Sequence, residues 1–147
     1  YFKKEINNII KNKIKINILG KLKKLPLKIR KNLFDVVKKT KNNNKLVVNL
    51  AINYGSKDEI VDSVKKIKSN SENISIEKIN QNLYTDLPFP DILIRTGGQK
   101  RLSNFMLWQL AYTEIFFIDK LWPDFTKIDL KKIINKFHKI KRNFGSI

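Results

Sequence analysis

The sequence predicts an α/β fold, a mostly parallel central sheet flanked by helices. Three observations predict it. Short apolar runs of strand length alternate with amphipathic helical stripes along the whole chain. The run from Leu46 to Ile52 is apolar on nearly every residue, as a strand covered on both faces must be. One further strand, Ile92-Leu93-Ile94, runs into the glycine pair Gly97-Gly98, and open α/β sheets place ligands at such strand ends.

The elements follow in order. Phe2, Ile6, Ile9 and Ile10 share a helical face over residues 2–11. Ile14, Ile16 and Ile18 alternate with Lys15 and Asn17 as a half-buried strand does, and Gly20 closes it. Pro26 suits a first helical turn, and Ile29, Leu33, Val36 and Val37 form the next stripe, ending near Thr40. A polar turn at 41–44 leads into the second strand, residues 45–53, which Gly55 punctuates. Ser56 and Glu59 have the spacing of a capping box ahead of Ile60, Val61, Val64 and Ile67. Ser75 is expected to cap a shorter helix with Ile76, Ile79 and Leu83 inside. Pro88 and Pro90 break the chain before the third strand. Residues 104–112 read as a short helix around Trp108, and Ile115 to Ile118 as a fourth strand. A last helix starts at Thr126 or Asp129, with Leu130, Ile133, Ile134, Phe137 and Ile140 inward. At 147 residues with no internal repeat, the chain is expected to be a single domain, 1–147.

Composition bounds the function. There is no cysteine, so disulfides and thiolate metal sites are out. No apolar run approaches the 18 or so residues of a membrane span. The 31 basic and 13 acidic residues give a net charge of +18, but lysine, asparagine and isoleucine are all overused, which weakens the usual inference to nucleic acid. The charge sits at the ends: +13 over residues 1–45 and +6 over 126–147, against 0 and −1 for the stretches between. Few aromatics interleave with those lysines, so no nucleic-acid partner is expected. A solvated surface and a phosphate-tracking groove are the two readings, the first favoured.

Arginine behaves differently. Of four arginines, Arg95 and Arg101 fall within seven residues, on either side of the glycine pair. A guanidinium binds phosphate or carboxylate through a rigid fork that lysine cannot copy. Ser103 adds a hydroxyl and Leu102 a backbone amide. Together these can hold one diphosphate; the alternative is two surface ion pairs. Glu114 opens a strand, where a carboxylate is costly unless it is paired or metal-bound. A hard oxygen near a diphosphate suggests Mg²⁺; pairing with one of the arginines is the competing reading. His138 reads as solvated, and Trp108 and Trp122 as core or interface anchors. Phe105, Phe116 and Phe117 suit core packing better than an apolar channel, and Asn53 and Tyr54 stand where a strand end could face a site.

Several segments carry a resemblance: Asp91 to Gly98, Arg101-Leu102-Ser103-Asn104-Phe105, Leu107-Trp108-Gln109, Ala111-Tyr112, Glu114, and Leu121-Trp122-Pro123-Asp124-Phe125. Asn49 to Gly55 and Arg142-Asn143-Phe144-Gly145 extend it. The pattern resembles the C-terminal part of the cis-prenyltransferases, the undecaprenyl diphosphate synthase family. The resemblance implies a Mg²⁺-dependent prenyltransferase that condenses isopentenyl diphosphate onto an allylic diphosphate such as farnesyl diphosphate. Each new double bond is cis, and the product is a polyprenyl diphosphate of the kind that serves as a cell wall lipid carrier. It implies that Arg95, Arg101, Leu102 and Ser103 bind the diphosphate and that Glu114 helps hold the metal. It implies a homodimer whose C-terminal segment reaches toward the partner's site, in the cytoplasm, with peripheral membrane contact. An organellar location is the other reading.

The chain also departs from the pattern. Gln99 and Lys100 stand where the family has Glu and often His, Ser56-Lys57 stand for Gly-Arg, and Asn143 takes the place of an arginine now one position earlier. The family's first block, with its metal-binding aspartate, and its proton-removal block have no counterpart here, and Tyr1 falls within a mid-chain helix of the family. The expectation is therefore the C-terminal part of a longer enzyme, inactive as this piece alone, with no catalytic residue assigned within it. A non-catalytic subunit acting through dimerisation is the alternative.

Overall fold

A computed structural model describes residues 2–145, with the side chains of 2–4 outside the description. The expected inward face of Phe2 and the helical placement of Tyr1 therefore lie outside the described residues. The chain divides into two compact units, 1–86 and 87–147.

The first unit begins with helix α1 (Phe2–Lys11), strand β1 (Ile14–Leu19), helix α2 (Leu27–Thr40) and strand β2 (Leu46–Ala51). The strands pair in parallel from Ile14 opposite Leu46 to Leu19 opposite Ala51. Burial along β1 does not simply alternate: Ile16 and Leu19, three apart and so on opposite faces, are buried, while Ile14 and Ile18 are only half-buried; Leu33 and Val36 of α2 are buried as well. The side chain of Thr40 ties α2 to β1, accepting from the Ile16 amide at 3.1 Å and donating to the Val36 carbonyl at 2.9 Å. Helices α3 (Ser56–Ser69) and α4 (Ile76–Asn82) follow. The Ser75 hydroxyl caps α4 as expected, accepting from the Lys78 amide.

The second unit pairs β3 (Ile92–Arg95) with β4 (Glu114–Phe117), again in parallel, Ile92 opposite Glu114 and Arg95 opposite Phe117. A 3-10 turn at Trp122–Asp124 precedes helix α5 (Lys127–Phe137). Thr126 and Asp129 close a capping box there, with the Asp129 carboxylate accepting from the Thr126 amide at 2.9 Å. The Thr126 hydroxyl and Lys120 hold that carboxyl well below the usual carboxylate range.

The α/β class with parallel strands and flanking helices holds. Several local expectations do not. The capping box predicted at Ser56 is absent: Gly55 is the cap residue, and Glu59 is drawn elsewhere. β2 is half-buried, with Leu46 exposed, because among the described residues it has one partner strand and not two. The buried stripe of α3 is Ser56, Glu59, Ser63 and Ile67, so Val61 faces out. The segment 104–112 forms turns, not a helix: Ser103, Asn104 and Met106 all take positive φ, which a right-handed helix cannot absorb. On α5, Ile133 is buried while Leu130 and Ile134 are exposed, as is Ile140 beyond it. Ile10, Ile29 and Ile76 are likewise exposed.

Candidate functional site

The loop after β3 brings together the residues singled out from the sequence. Arg95 is the last residue of β3, and its Nη1 donates to the Arg101 carbonyl and, at 3.1 Å, to Ser103 Oγ. The chain therefore turns back so that 101–103 lie against the strand end. The backbone makes this turn by leaving ordinary conformations: Gly97, Gly98, Ser103 and Asn104 all have positive φ. For the two non-glycine residues that strain is about 1–3 kcal/mol each, and strain of this kind gathers at functional sites. The glycine amides do not face a ligand. Gly97 donates to the Lys120 carbonyl at 2.8 Å and Gly98 to that of Ile118 at 3.0 Å, pinning the loop to the chain after β4. The Leu102 amide makes no hydrogen bond among the described residues, nor do those of Gln99, Lys100, Arg101 and Ser103, so it is one of several backbone donors left for an anion.

Arg101 is partly separate. Its Nη1 donates to Gln99 Oε1 at 2.6 Å, and it touches Arg95 through its carbonyl, not its guanidinium. A cleft of about 260 Å³ opens beside Arg95, Thr96 and Leu102 with Leu93, Ile94 and Phe105 as its apolar wall; Arg101 does not line it. Neither Arg95 nor Arg101 pairs with a carboxylate among the described residues. The surface-ion-pair reading therefore does not describe them: two cations stand on one strained loop with no acid to balance them.

Glu114 lies apart from this group. It opens β4 opposite Ile92, whereas Arg95 sits opposite Phe117 at the other end of the strand pair. Three residues of strand separate the two positions, roughly 10 Å. Arg142 faces Glu114 instead. Its Nε is 4.0 Å from Glu114 Oε1, its Nη1 donates to Asp91 Oδ1 at 2.5 Å, and its Nη2 donates to the Tyr112 carbonyl at 3.1 Å. Phe144 and Phe137 cover its guanidinium, 4.7 and 5.3 Å from their ring centres. Glu114 thus stands at the edge of ion-pair distance from Arg142, whose hydrogen bonds go to Asp91 and Tyr112 of its own chain. Asp91 and Glu114 thus lie on either side of one guanidinium, and among the described residues no group of three or more metal-ligating side chains gathers, so a divalent ion at Glu114 would take most of its oxygens from a ligand.

Sequence reasoning missed a second polar cluster, in the first unit. Glu59 is 1% exposed. One of its oxygens accepts from the Tyr84 amide at 2.7 Å and the other from the Tyr54 hydroxyl. The Tyr84 hydroxyl donates to Asp62 at 2.6 Å, and Lys21 bonds Asp58 at 2.6 Å with Asp62 at 3.6 Å. Burial, then the Asp62 bond, pushes the Tyr84 hydroxyl up. That same bond, opposed by burial and helped by Lys21, holds Asp62 low. Carboxylates at 58 and 62, four apart on one helix, were the available signal. Asn53 and Tyr54 are tied locally: Asn53 Nδ2 donates to the Lys21 carbonyl at 2.7 Å, and the Tyr54 hydroxyl to Glu59. His138 is exposed as expected. Trp122 is not core; it is 71% exposed and stacked on Phe125.

Known proteins share this architecture. Residues 1–145 match the family model described as "Putative undecaprenyl diphosphate synthase". An isoprenyl transferase of Fusobacterium nucleatum is 44% identical over the whole of this chain and 64% of its own length. One from Rickettsia sibirica is 45% identical over 99% of this chain and 65% of its own length. The chain thus spans somewhat less than two thirds of the length of these curated relatives. Among solved structures, a probable undecaprenyl diphosphate synthase from Campylobacter jejuni superposes with a TM-score of 0.91 at 39% identity, over 99% of this chain and 69% of that one. A lavandulyl diphosphate synthase from Lavandula x intermedia, in complex with dimethylallyl diphosphate, also reaches 0.91, at 29% identity over 99% and 66%.

Proposed function

The chain belongs to the undecaprenyl diphosphate synthase family, and on that premise we propose that it contributes the isopentenyl diphosphate site of a cis-prenyl chain-elongating transferase. The observation that carries the reading is the loop 95–103. It holds two guanidinium groups with no carboxylate partner among the described residues, a hydroxyl and a backbone amide, beside an apolar-walled cleft. A diphosphate fits that chemistry: charge-assisted bonds from Arg95, Arg101 and Ser103 meet its oxygens, and the cleft wall meets the isoprenoid carbons. Because Arg95 and Arg101 now bond to the loop itself, ligand oxygens would replace the Arg101 carbonyl and Gln99 as acceptors.

In the proposed reaction the isopentenyl double bond attacks the allylic carbon, the carbon–oxygen bond to the allylic diphosphate breaks, and a proton is lost from the isopentenyl unit. The loop's cations orient the isopentenyl group and hold its diphosphate fixed. Farnesyl diphosphate, or a similar allylic diphosphate, is the proposed acceptor and a polyprenyl diphosphate the proposed product. Mg²⁺ belongs to the proposal as an ion carried by substrate phosphates, to which Glu114 would add one oxygen; such ions characteristically take one or two carboxylates beside phosphates. A single domain longer than this chain, which spans about 64–65% of its relatives' length, and a homodimer are part of the same reading.

The test is incorporation of labelled isopentenyl units into a lipid-soluble product by the full-length protein alone. Turnover with farnesyl diphosphate is expected. Binding of isopentenyl diphosphate without turnover would favour a non-catalytic subunit, and absence of binding would defeat both readings.

A further inference from the structure

Helix α2 is apolar on two sides. Leu33, Val36 and Thr40 are buried against the rest of the unit. The opposite stripe, at positions 27, 31, 34 and 38, falls on one face at helical spacing. It consists of Leu27, Lys31, Phe34 and Lys38, with Leu27 and Phe34 each 58% exposed. The two apolar side chains are about 10 Å apart along the axis at 1.5 Å per residue. Lys23 and Lys24 of the preceding 3-10 turn, and Lys28, add cations at one end, and Lys39 and Lys41 at the other. The helix carries one acidic residue, Asp35, which Lys39 pairs at 2.8 Å.

We propose that this face of α2 docks the protein on an anionic phospholipid surface, Leu27 and Phe34 entering the interface while the lysines meet the head groups. The pattern is that of a helix lying in the plane of a membrane: large apolar side chains flanked by lysine on the face away from the core. Among the described residues no helix is long and apolar enough to cross a bilayer. Charge complementarity selects the occupant. Residues 1–45 carry +13, which attracts an anionic leaflet and repels a second copy of the same surface. A nucleic-acid groove would use the lysines but leaves Leu27 without a role. The proposal rests on the prenyl-transfer reading for its purpose, since a polyprenyl product must reach a bilayer, but its measurement needs no turnover.

The test is co-sedimentation of the full-length protein with vesicles of phosphatidylcholine, alone or mixed with phosphatidylglycerol. Binding is expected only to the mixed vesicles. Phe34→Ser, at an exposed position that leaves the fold intact, should weaken it by roughly tenfold. The double variant Lys31→Gln/Lys38→Gln should weaken it by about 25-fold, near fivefold per lysine. The control Lys139→Gln/Lys141→Gln, which removes the same charge elsewhere, should change it little. Absence of binding to mixed vesicles, an unchanged Phe34→Ser, or a control loss matching that of the α2 lysines would overturn the proposal. So would a change in oligomeric state on Phe34→Ser without lipid. Isopentenyl turnover measured in parallel separates the two readings. Vesicle binding without turnover defeats the enzymatic one alone, and turnover without vesicle binding defeats this one alone.

Discussion

Two loops leave the C-terminal ends of parallel strands in this chain, and they are finished in opposite ways. The loop after β2, Ile52 to Gly55, satisfies itself. The Lys21 amide donates to the Asn53 carbonyl at 3.1 Å while Asn53 Nδ2 donates back to the Lys21 carbonyl, and the buried Glu59 takes bonds from both Tyr54 and Tyr84. The loop after β3 does not. Its glycine amides are used, but Arg95 and Arg101 find only neutral acceptors, and Ser103 and Asn104 hold strained backbone around them. A strand end followed by glycine is therefore no signature of a site by itself. What separates scaffold from site is whether the charges at the loop are already spent.

That contrast can be broken by mutation. Glu59→Ala takes a buried acceptor from the half-buried Tyr54 hydroxyl and the half-buried Tyr84 amide, at about 1–3 kcal/mol each, so a loss of about 2–5 kcal/mol is expected by denaturant unfolding. A loss below 1 kcal/mol would mean the first loop is not held by its own bonds. The glycines sharpen the comparison. A Cβ on Gly20 (φ +110°) would lie 2.4 Å from the Ile52 carbonyl oxygen, backbone that cannot yield. Gly20→Ala should cost on the order of 2–4 kcal/mol. A Cβ on Gly98 meets nothing nearer than Asp119 Oδ1 at 3.6 Å, so Gly98→Ala pays only for its positive φ, about 1 kcal/mol. Equal costs would remove the distinction between the loops.

The smallest effect is in pH. Asp62 is held low in the folded state, so its contribution is present above its unfolded value near 3.9 and is lost as pH falls through the lower folded pKa. Tyr84 is pushed up, so its contribution is present below about 10 and is lost as pH rises toward its folded pKa. Tyr84→Phe should flatten both limbs of a stability profile and cost about 1 kcal/mol between them, since Asp62 is partly solvated. A profile unchanged at either end would show that the Tyr84–Asp62 bond does not hold in solution.

Much of this was legible from residues alone. Strands and helices followed from periodicity, because burying an apolar stripe stabilises each element: Leu33 and Val36 do so in α2, whereas in β1 only Ile16 of the alternating isoleucines is buried. The Arg95–Ser103 proximity followed from two glycines and a rare residue type. The turns at 104–112 did not, since Ser103, Asn104 and Met106 adopt positive φ with no glycine to announce it. The α3 face was misread because its buried stripe is polar, and a buried Glu59 is recognisable only once Tyr54 and Tyr84 are seen to meet it. The place of Glu114 depended on strand register, which spacing along one strand cannot supply.

The central claim is that the loop after β3 keeps its cations for a diphosphate. Calorimetric binding of isopentenyl diphosphate to the full-length protein, wild type against Arg95→Ala, tests it most directly when melting is followed on the same samples. One lost charged bond is about 1.5–3 kcal/mol, so affinity should fall by roughly ten- to a hundredfold, well beyond what losing two exposed loop bonds takes from the melting temperature. Affinity that survives the substitution, or falls only as far as the fold does, would contradict the account.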